Sequence, residues 1–424
     1  MSRKMDDNPV GLSANISFLI LLFAITLNSI SFGVIVPVIP DLLSELTGLE
    51  QSLASPHAGW LLFIFAFFQF IFMPIFGALS DRYGRKKILL GSFTALFVDY
   101  FVMAMAQSVE LLYITRALAG GFGASTIIAG AYICDLFEGH HRAKYFGYIG
   151  AGAAIGLLLG PAIGGVLADI SIRMPFYASA ALLFLNVIFI LSFFKDVAAK
   201  NLDETKLSLR KLLPNKTILK MFEKGPTRPY FFLLGAMTLA HTAYMAVFAF
   251  VAYAKFNWTP FEFGLCMAAF GAGGLIGQLF IVKRAVDLLG LEKSILYGMV
   301  FYFIGFVLIG FAHTPWMFYL AVPIASISGI FGATIKTKIS LMKGNIGQGE
   351  LQGIIGAVGG LALMIGPIIM TQTFKTSMNS PHLNSAILKT GSPFILCALI
   401  SLFCIFYLKS QPSLMDELSG ASED

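Results

Sequence analysis

The stretch Gly77-Ala78-Leu79-Ser80-Asp81-Arg82-Tyr83-Gly84-Arg85-Lys86-Lys87 is a dense polar and cationic break between two long apolar runs. Read as a short loop joining two membrane-spanning helices, it sets Arg82, Arg85, Lys86 and Lys87 at one bilayer face. The positive-inside rule makes that face the cytoplasmic one. Gly77 permits close helix approach and Gly84 a tight turn. Asp81 can accept hydrogen bonds from a facing helix N-terminus while pairing with the loop arginines.

Composition agrees with a membrane protein. Of 424 residues, 57% are hydrophobic and 12% charged, against roughly 25% charged in an ordinary soluble domain. Spans of about twenty apolar residues suit a bilayer core. Twelve are expected near 15–38, 57–79, 88–107, 109–133, 145–168, 174–194, 229–254, 262–282, 293–312, 315–341, 350–373 and 391–409. The start Met1-Ser2-Arg3-Lys4-Met5-Asp6-Asp7 is short and polar, and no small-residue cleavage site follows the first run. That run is therefore expected to be a retained helix and not a signal peptide.

Among the 29 Lys and Arg, Arg173, Lys255, Lys375 and Lys389 lie in or beside one set of loops. Arg116, Lys336 and Lys338 fall inside spans, and the rest lie in the termini and the other set of loops. Both termini are thus expected in the cytoplasm. The net charge of +6 is accounted for by loops facing anionic lipid, and nucleic acid is not expected as a partner. Cys134, Cys266, Cys397 and Cys404 show no ligand-like pairing and read as small buried hydrophobes. With no nucleophile triad, metal cluster or phosphate-cradling glycine loop, the chain is not expected to be an enzyme or to hold a metal or cofactor.

The chain repeats itself at an offset of 206. Asp81, Gly84 and Lys87 recur as Asp287, Gly290 and Lys293, and Gly160-Pro161 recurs as Gly366-Pro367. Two matches in equivalent loops and helices argue for two six-helix halves, at 1–194 and 229–424. Between them, 195–228 carries nine Lys and Arg and no spanning run. It reads as a cytoplasmic linker, with an amphipathic helix at 205–222. The cluster Gly77, Asp81, Arg82, Gly84 and Arg85 is then a conformational latch between halves, expected to be weaker at the second copy, where Leu288 and Leu291 replace arginines. The plainer alternative, cations that only set topology, leaves Asp81 and the glycines without a role.

The first loop resembles the loop between helices 2 and 3 of the major facilitator superfamily. In span 5, Gly152-Ala153-Ala154-Ile155-Gly156-Leu157-Leu158-Leu159-Gly160-Pro161-Ala162-Ile163-Gly164-Gly165 resembles that of the drug/proton antiporters. Its glycines flatten one face, and Pro161 with Gly156, Gly160, Gly164 and Gly165 is expected to bend the helix. Several more positions are similar to the tetracycline/proton antiporter branch: Pro37-Val38-Ile39-Pro40, Gln69 with Pro74, Asp99-Tyr100, Arg116 with Gly120, Gln278, and Gly349-Glu350-Leu351-Gln352-Gly353. The resemblance implies an all-α major facilitator fold of twelve transmembrane helices in two pseudo-symmetric halves. It also implies a monomer in a bacterial-type inner membrane and proton-coupled efflux of a small molecule by alternating access. Asn28 and Tyr302 stand where that branch carries aspartates, and Gly274 where it carries a histidine.

One mid-membrane acid remains. Counted from Ser108, Asp99 and Arg116 each lie about 12–13 Å from the same bilayer face. Charged groups at that depth are costly and mark relays or pathways. Asp99 is therefore the expected proton carrier and Arg116 its tuning partner, a permanently paired structural bridge being the alternative. Asn28, Gln69, Gln278, Tyr302 and Lys336 are the expected substrate-cavity residues. Lys336 and Lys338 either snorkel to the interface or line a positive cavity. Three functions compete: an exporter of an amphipathic, tetracycline-like compound, a transporter of an organic anion such as a siderophore or polycarboxylate, and a non-transporting receptor on a transporter fold.

Overall fold

The computed structural model describes residues 12–137, 141–196, 227–342 and 348–410. These residues form helices and connecting turns, with no strand among them. The expected linker helix at 205–222 lies outside the described residues. A backbone in lipid must satisfy its own hydrogen bonds, which leaves such apolar runs the helix as their solution. Large apolar side chains on the outer faces, Ile114, Phe193, Leu399 and Phe406 among them, remain exposed.

Twelve membrane-crossing helices follow in chain order. In the first half, α1 is Leu12–Ile35 continued by Ile39–Thr47, α2 Gln51–Tyr83, α3 Arg85–Met105, and α4 Val109–Phe122 continued by Ser125–Leu136. Then come α5, His141–Ala168, and α6, Met174–Phe193. In the second half, α7 comprises Arg228–His241, Ala243–Ala246 and Phe248–Phe256, and α8 runs from Pro260–Ile276 through a π turn at Gly277–Ile281 to 289. Next, α9 is 291–311 and α10 is Pro315–Ile327 continued by Gly329–Leu341. Finally, α11 is Gln348–Met378 and α12 Ala386–Lys409.

The offset of 206 reappears as geometry. Gly84 turns the chain between α2 and α3 at φ 96, and Gly290 does so between α8 and α9 at φ 76. Only glycine adopts such values without strain. The break in α1 after Ile35 recurs in α7 after His241, and the break in α4 at Gly123 recurs in α10 at Gly329. A second break in α7 is sharp: the segments before and after Val247 meet at 52°. Even the helix ends correspond. Arg173 donates to the carbonyls of Ala104 (3.1 Å) and Ala106 (2.7 Å) at the end of α3. Lys255 donates to Gly310 and Ala312, both at 2.9 Å, at the end of α9. These contacts place a cation at each negative helix end and account for two of the cations on that side.

Within each half, α1 packs on α5 as α7 packs on α11, and α3 on α6 as α9 on α12. The halves meet through α5 on α8 and α2 on α11. At the end opposite Gly84 they are closed. There the Tyr253 hydroxyl donates to the Pro37 carbonyl, and Ser55 donates to that of Thr371 at 3.4 Å. A Cβ on Gly165 would meet Phe261 Cα at 2.6 Å, and one on Gly271 would meet Leu158 Cα at 2.9 Å. Toward the Gly84 end the contact is lost: a Cβ on Gly274, Gly332, Gly356 or Gly359 would meet nothing within 4 Å. The molecule therefore opens toward the cationic end.

Candidate functional site

Asp99 on α3 and Arg116 on α4 face each other inside the first half. Arg116 Nη2 lies 2.8 Å from Asp99 Oδ2, with the two side chains 7% and 1% exposed. Neither Asp99 oxygen accepts a well-aligned hydrogen bond, so the contact is ionic in the main. Arg116 also donates to Met103 Sδ at 2.9 Å and stacks over Tyr100 at 5.3 Å. It reaches out of the half as well, lining a small cavity of about 60 Å³ together with Phe32, Val36, Tyr244 and Met245.

Those last four residues also line the main cavity, of about 470 Å³. Its walls come from α1 and α5 of the first half and from α7, α8, α9 and α10 of the second. The broken helices supply much of the lining: Val36 at the α1 break, His241 at the α7 break, and Ser328 and Gly329 at the α10 break. Discontinuous helices at the midplane between repeats are where transporters of this kind build sites. Tyr302 and Lys336, both expected in the cavity, line it. The Tyr302 hydroxyl lies 3.2 Å from His241 Nδ1. Tyr244 is buried, and its hydroxyl has no hydrogen-bond partner.

Other expected cavity residues are placed differently. Gln69 lines neither cavity but donates through Nε2 to the Gly123 carbonyl at 2.7 Å. The break in α4 frees that carbonyl from its helix and makes it the better partner. Asn28 is half-buried on α1 and lines neither cavity. Gln278 falls in the π turn of α8, and its side chain lies outside the described residues. Helix α5 runs unbroken from His141 to Ala168 through Pro161. Its glycines serve close approach: a Cβ on Gly160 would meet Gly33 Cα at 2.6 Å, and Gly156 and Gly164 likewise abut α1, while Gly165 meets α8.

The expected latch residues form a polar network around the α2–α3 turn. Arg85 pairs with Asp81 and with Asp135, the latter at 2.8 Å, and donates to Ser80 Oγ at 2.5 Å. The Arg85 and Lys86 amides donate to Asp196 at 2.9 and 3.2 Å. A side chain at Gly84 would strike that same carboxylate. Ser80, Asp81 and Asp135 belong to the first half, and Asp196 opens the segment that follows it. Gly77 approaches Ile127 of α4, and Arg82 lies over the adjacent Tyr83 ring. In the second half, Leu291 replaces Arg85, and buried Glu292 pairs with Lys338, with Tyr230 donating to the glutamate at 3.3 Å. Lys338 is thus ion-paired rather than snorkelling, while Lys336, two residues earlier, is exposed to the cavity.

Sequence reasoning passed over His241, Asp135, Asp196 and Glu292. For His241 a signal existed: it lies 206 residues after Ile35, beside the proline-marked break of α1. Asp135 and Asp196 end helices far from the loop in sequence, and only packing brings them together. Among the described residues no His, Cys, Asp and Glu cluster could hold a metal.

The sequence profile of the Major Facilitator Superfamily matches residues 21–255 and again 230–423. The tetracycline resistance protein of class C from Escherichia coli is 31% identical over 374 residues, 87% of this chain and 92% of that protein. That of class G from Vibrio anguillarum is 30% identical over 93% of this chain and 97% of its own length. The quinolone resistance protein NorA of Staphylococcus aureus (strain MSSA476) is 28% identical over 87% and 92%. In three dimensions, a D-xylose-proton symporter superposes with a TM-score of 0.72 at 17% identity, over 94% of this chain and 98% of that one. The nucleoside transporter NupG does so with 0.71 at 13% identity, over 96% and 100%. These two likenesses establish the fold alone. The chain belongs to the Major Facilitator Superfamily, grouping there with the tetracycline resistance proteins, and is a multi-pass membrane transporter and not an enzyme.

Proposed function

We propose that this protein is a proton-coupled antiporter that exports a small amphipathic organic molecule across a bacterial inner membrane, with both termini in the cytoplasm. The relatives named for tetracycline and quinolone resistance support export of a drug-like compound. Cations concentrated at the open end support a cytoplasm-facing cavity. The observation that carries the coupling is the buried Asp99–Arg116 pair, whose arginine borders a cavity between the halves.

A guanidinium does not release its proton near neutral pH, so within this pair the carboxyl of Asp99 is the proposed carrier. Asp99 binds and releases that proton as its contact with Arg116 changes between the inward- and outward-open states. Each cycle then returns one proton inward as substrate leaves. The latch network around Arg85 would engage the second half when this end closes. Asp99→Asn in proteoliposomes should abolish substrate accumulation driven by an imposed pH gradient while sparing insertion and folding. A mutant that still concentrates substrate would place the carrier elsewhere.

A further inference from the structure

We propose that the main cavity binds an amphipathic organic monoanion, a flat aromatic body with one carboxylate or comparably acidic group held by Lys336 and a neutral polar group at the far end. This rests on the transport reading above and names its substrate class. Among the described lining residues, Lys336 is the single charged side chain. It has no ion-pair partner among the described residues, whereas Lys338 is matched by Glu292 and Arg116 by Asp99. An otherwise uncharged cavity thus contains one uncompensated positive charge, which an anion relieves and a cation opposes. A polycarboxylate would bring more negative charge than this wall can pair.

The far end is polar without charge. Tyr302 packs edge-on against Phe331 at 6.2 Å, and Lys336 lies five residues beyond Phe331, about 7–8 Å along α10. Beside Tyr302 are His241, its hydrogen-bonding neighbour, and Tyr244, whose buried hydroxyl lacks a partner and borders the cavity. A buried hydroxyl left unpaired is costly, and a ligand hydroxyl or carbonyl would satisfy it. Phe32 and Phe270 line the same cavity, Phe270 packing against Tyr244 at 5.0 Å, suiting a planar ring system. The volume of about 470 Å³ falls within the ordinary range for small-molecule sites.

The test is a fluorescence titration of the purified full chain in nanodiscs at pH 7.5 with three matched probes, 6-hydroxy-2-naphthoate, its carboxamide and 6-hydroxy-2-naphthylmethylamine, and with 2-naphthoate as the hydroxyl-free control. The naphthoate is expected to bind tightest and the amine weakest. Lys336→Gln should weaken the naphthoate roughly tenfold, as loss of one charge-assisted contact does, leaving the carboxamide unchanged. Lys336→Arg should keep the preference. Tyr244→Phe should weaken 6-hydroxy-2-naphthoate but not 2-naphthoate. An amine that binds as tightly as the naphthoate overturns the proposal in the unmodified protein, whatever the variants do. Equal weakening of all three probes by Lys336→Gln also overturns it. Because binding is measured without a gradient, failure of the Asp99 coupling experiment would leave this result standing.

Discussion

Two buried ion pairs carry different burdens. Asp99 and Arg116 sit at mid-depth beside the pathway, while Glu292 and Lys338 join α9 to α10 near the open end. Removing one partner of a buried pair strands a charge, which typically costs about 3–5 kcal/mol, whereas removing both is far milder. Arg116→Gln should therefore lower the melting temperature of the detergent-purified protein. The double variant Asp99→Asn/Arg116→Gln should recover most of that loss and yet fail to accumulate substrate in a pH gradient. If Arg116→Gln melts like the parent, the pair contributes no stability in this state. If the double variant still pumps, coupling does not run through it.

At the scale of elements, rigid-body movement needs helices that touch over small surfaces. Along α5 and α8 the backbones approach so closely that a Cβ on Gly264 would fall 3.0 Å from the Pro161 carbonyl carbon. Overpacking such a contact is destabilising, so Gly264→Val should disfavour this closed end. In a background lacking Cys134, Cys266, Cys397 and Cys404, Ser55→Cys should then react faster with an impermeant maleimide added outside intact cells. Gly356→Val, at a site where a Cβ meets nothing within 4 Å, should leave the rate unchanged. Equal rates in both variants would mean that the α5–α8 seam does not hold this end shut.

For the whole molecule, two halves with matching breaks enclose a cavity that opens to the cationic end. The proposed orientation rests on that charge and is directly checkable. Asn379→Cys, between α11 and α12, should label from outside intact cells, and Asp287→Cys, in the last turn of α8, should label only after permeabilisation. The reverse pattern would invert the topology and, with it, the assignment of the open side to the cytoplasm.

The fold was legible in the amino-acid order because its causes are local or periodic: apolar runs long enough for a bilayer, cations between alternate runs, and glycines 206 residues apart at turns no other residue makes without strain. Depth counting from Ser108 likewise put Asp99 level with Arg116, since the helix rise is constant. Which way a side chain faces at a given depth is another matter, because nearly uniform apolar helices give no face to read. Packing alone turned Gln69 to a carbonyl freed at the α4 break and set Lys336 toward the cavity while Lys338 met Glu292. It also brought Asp135 and Asp196 to the first loop. Those choices depend on partners distant in sequence, and only the tertiary structure brings the partners together.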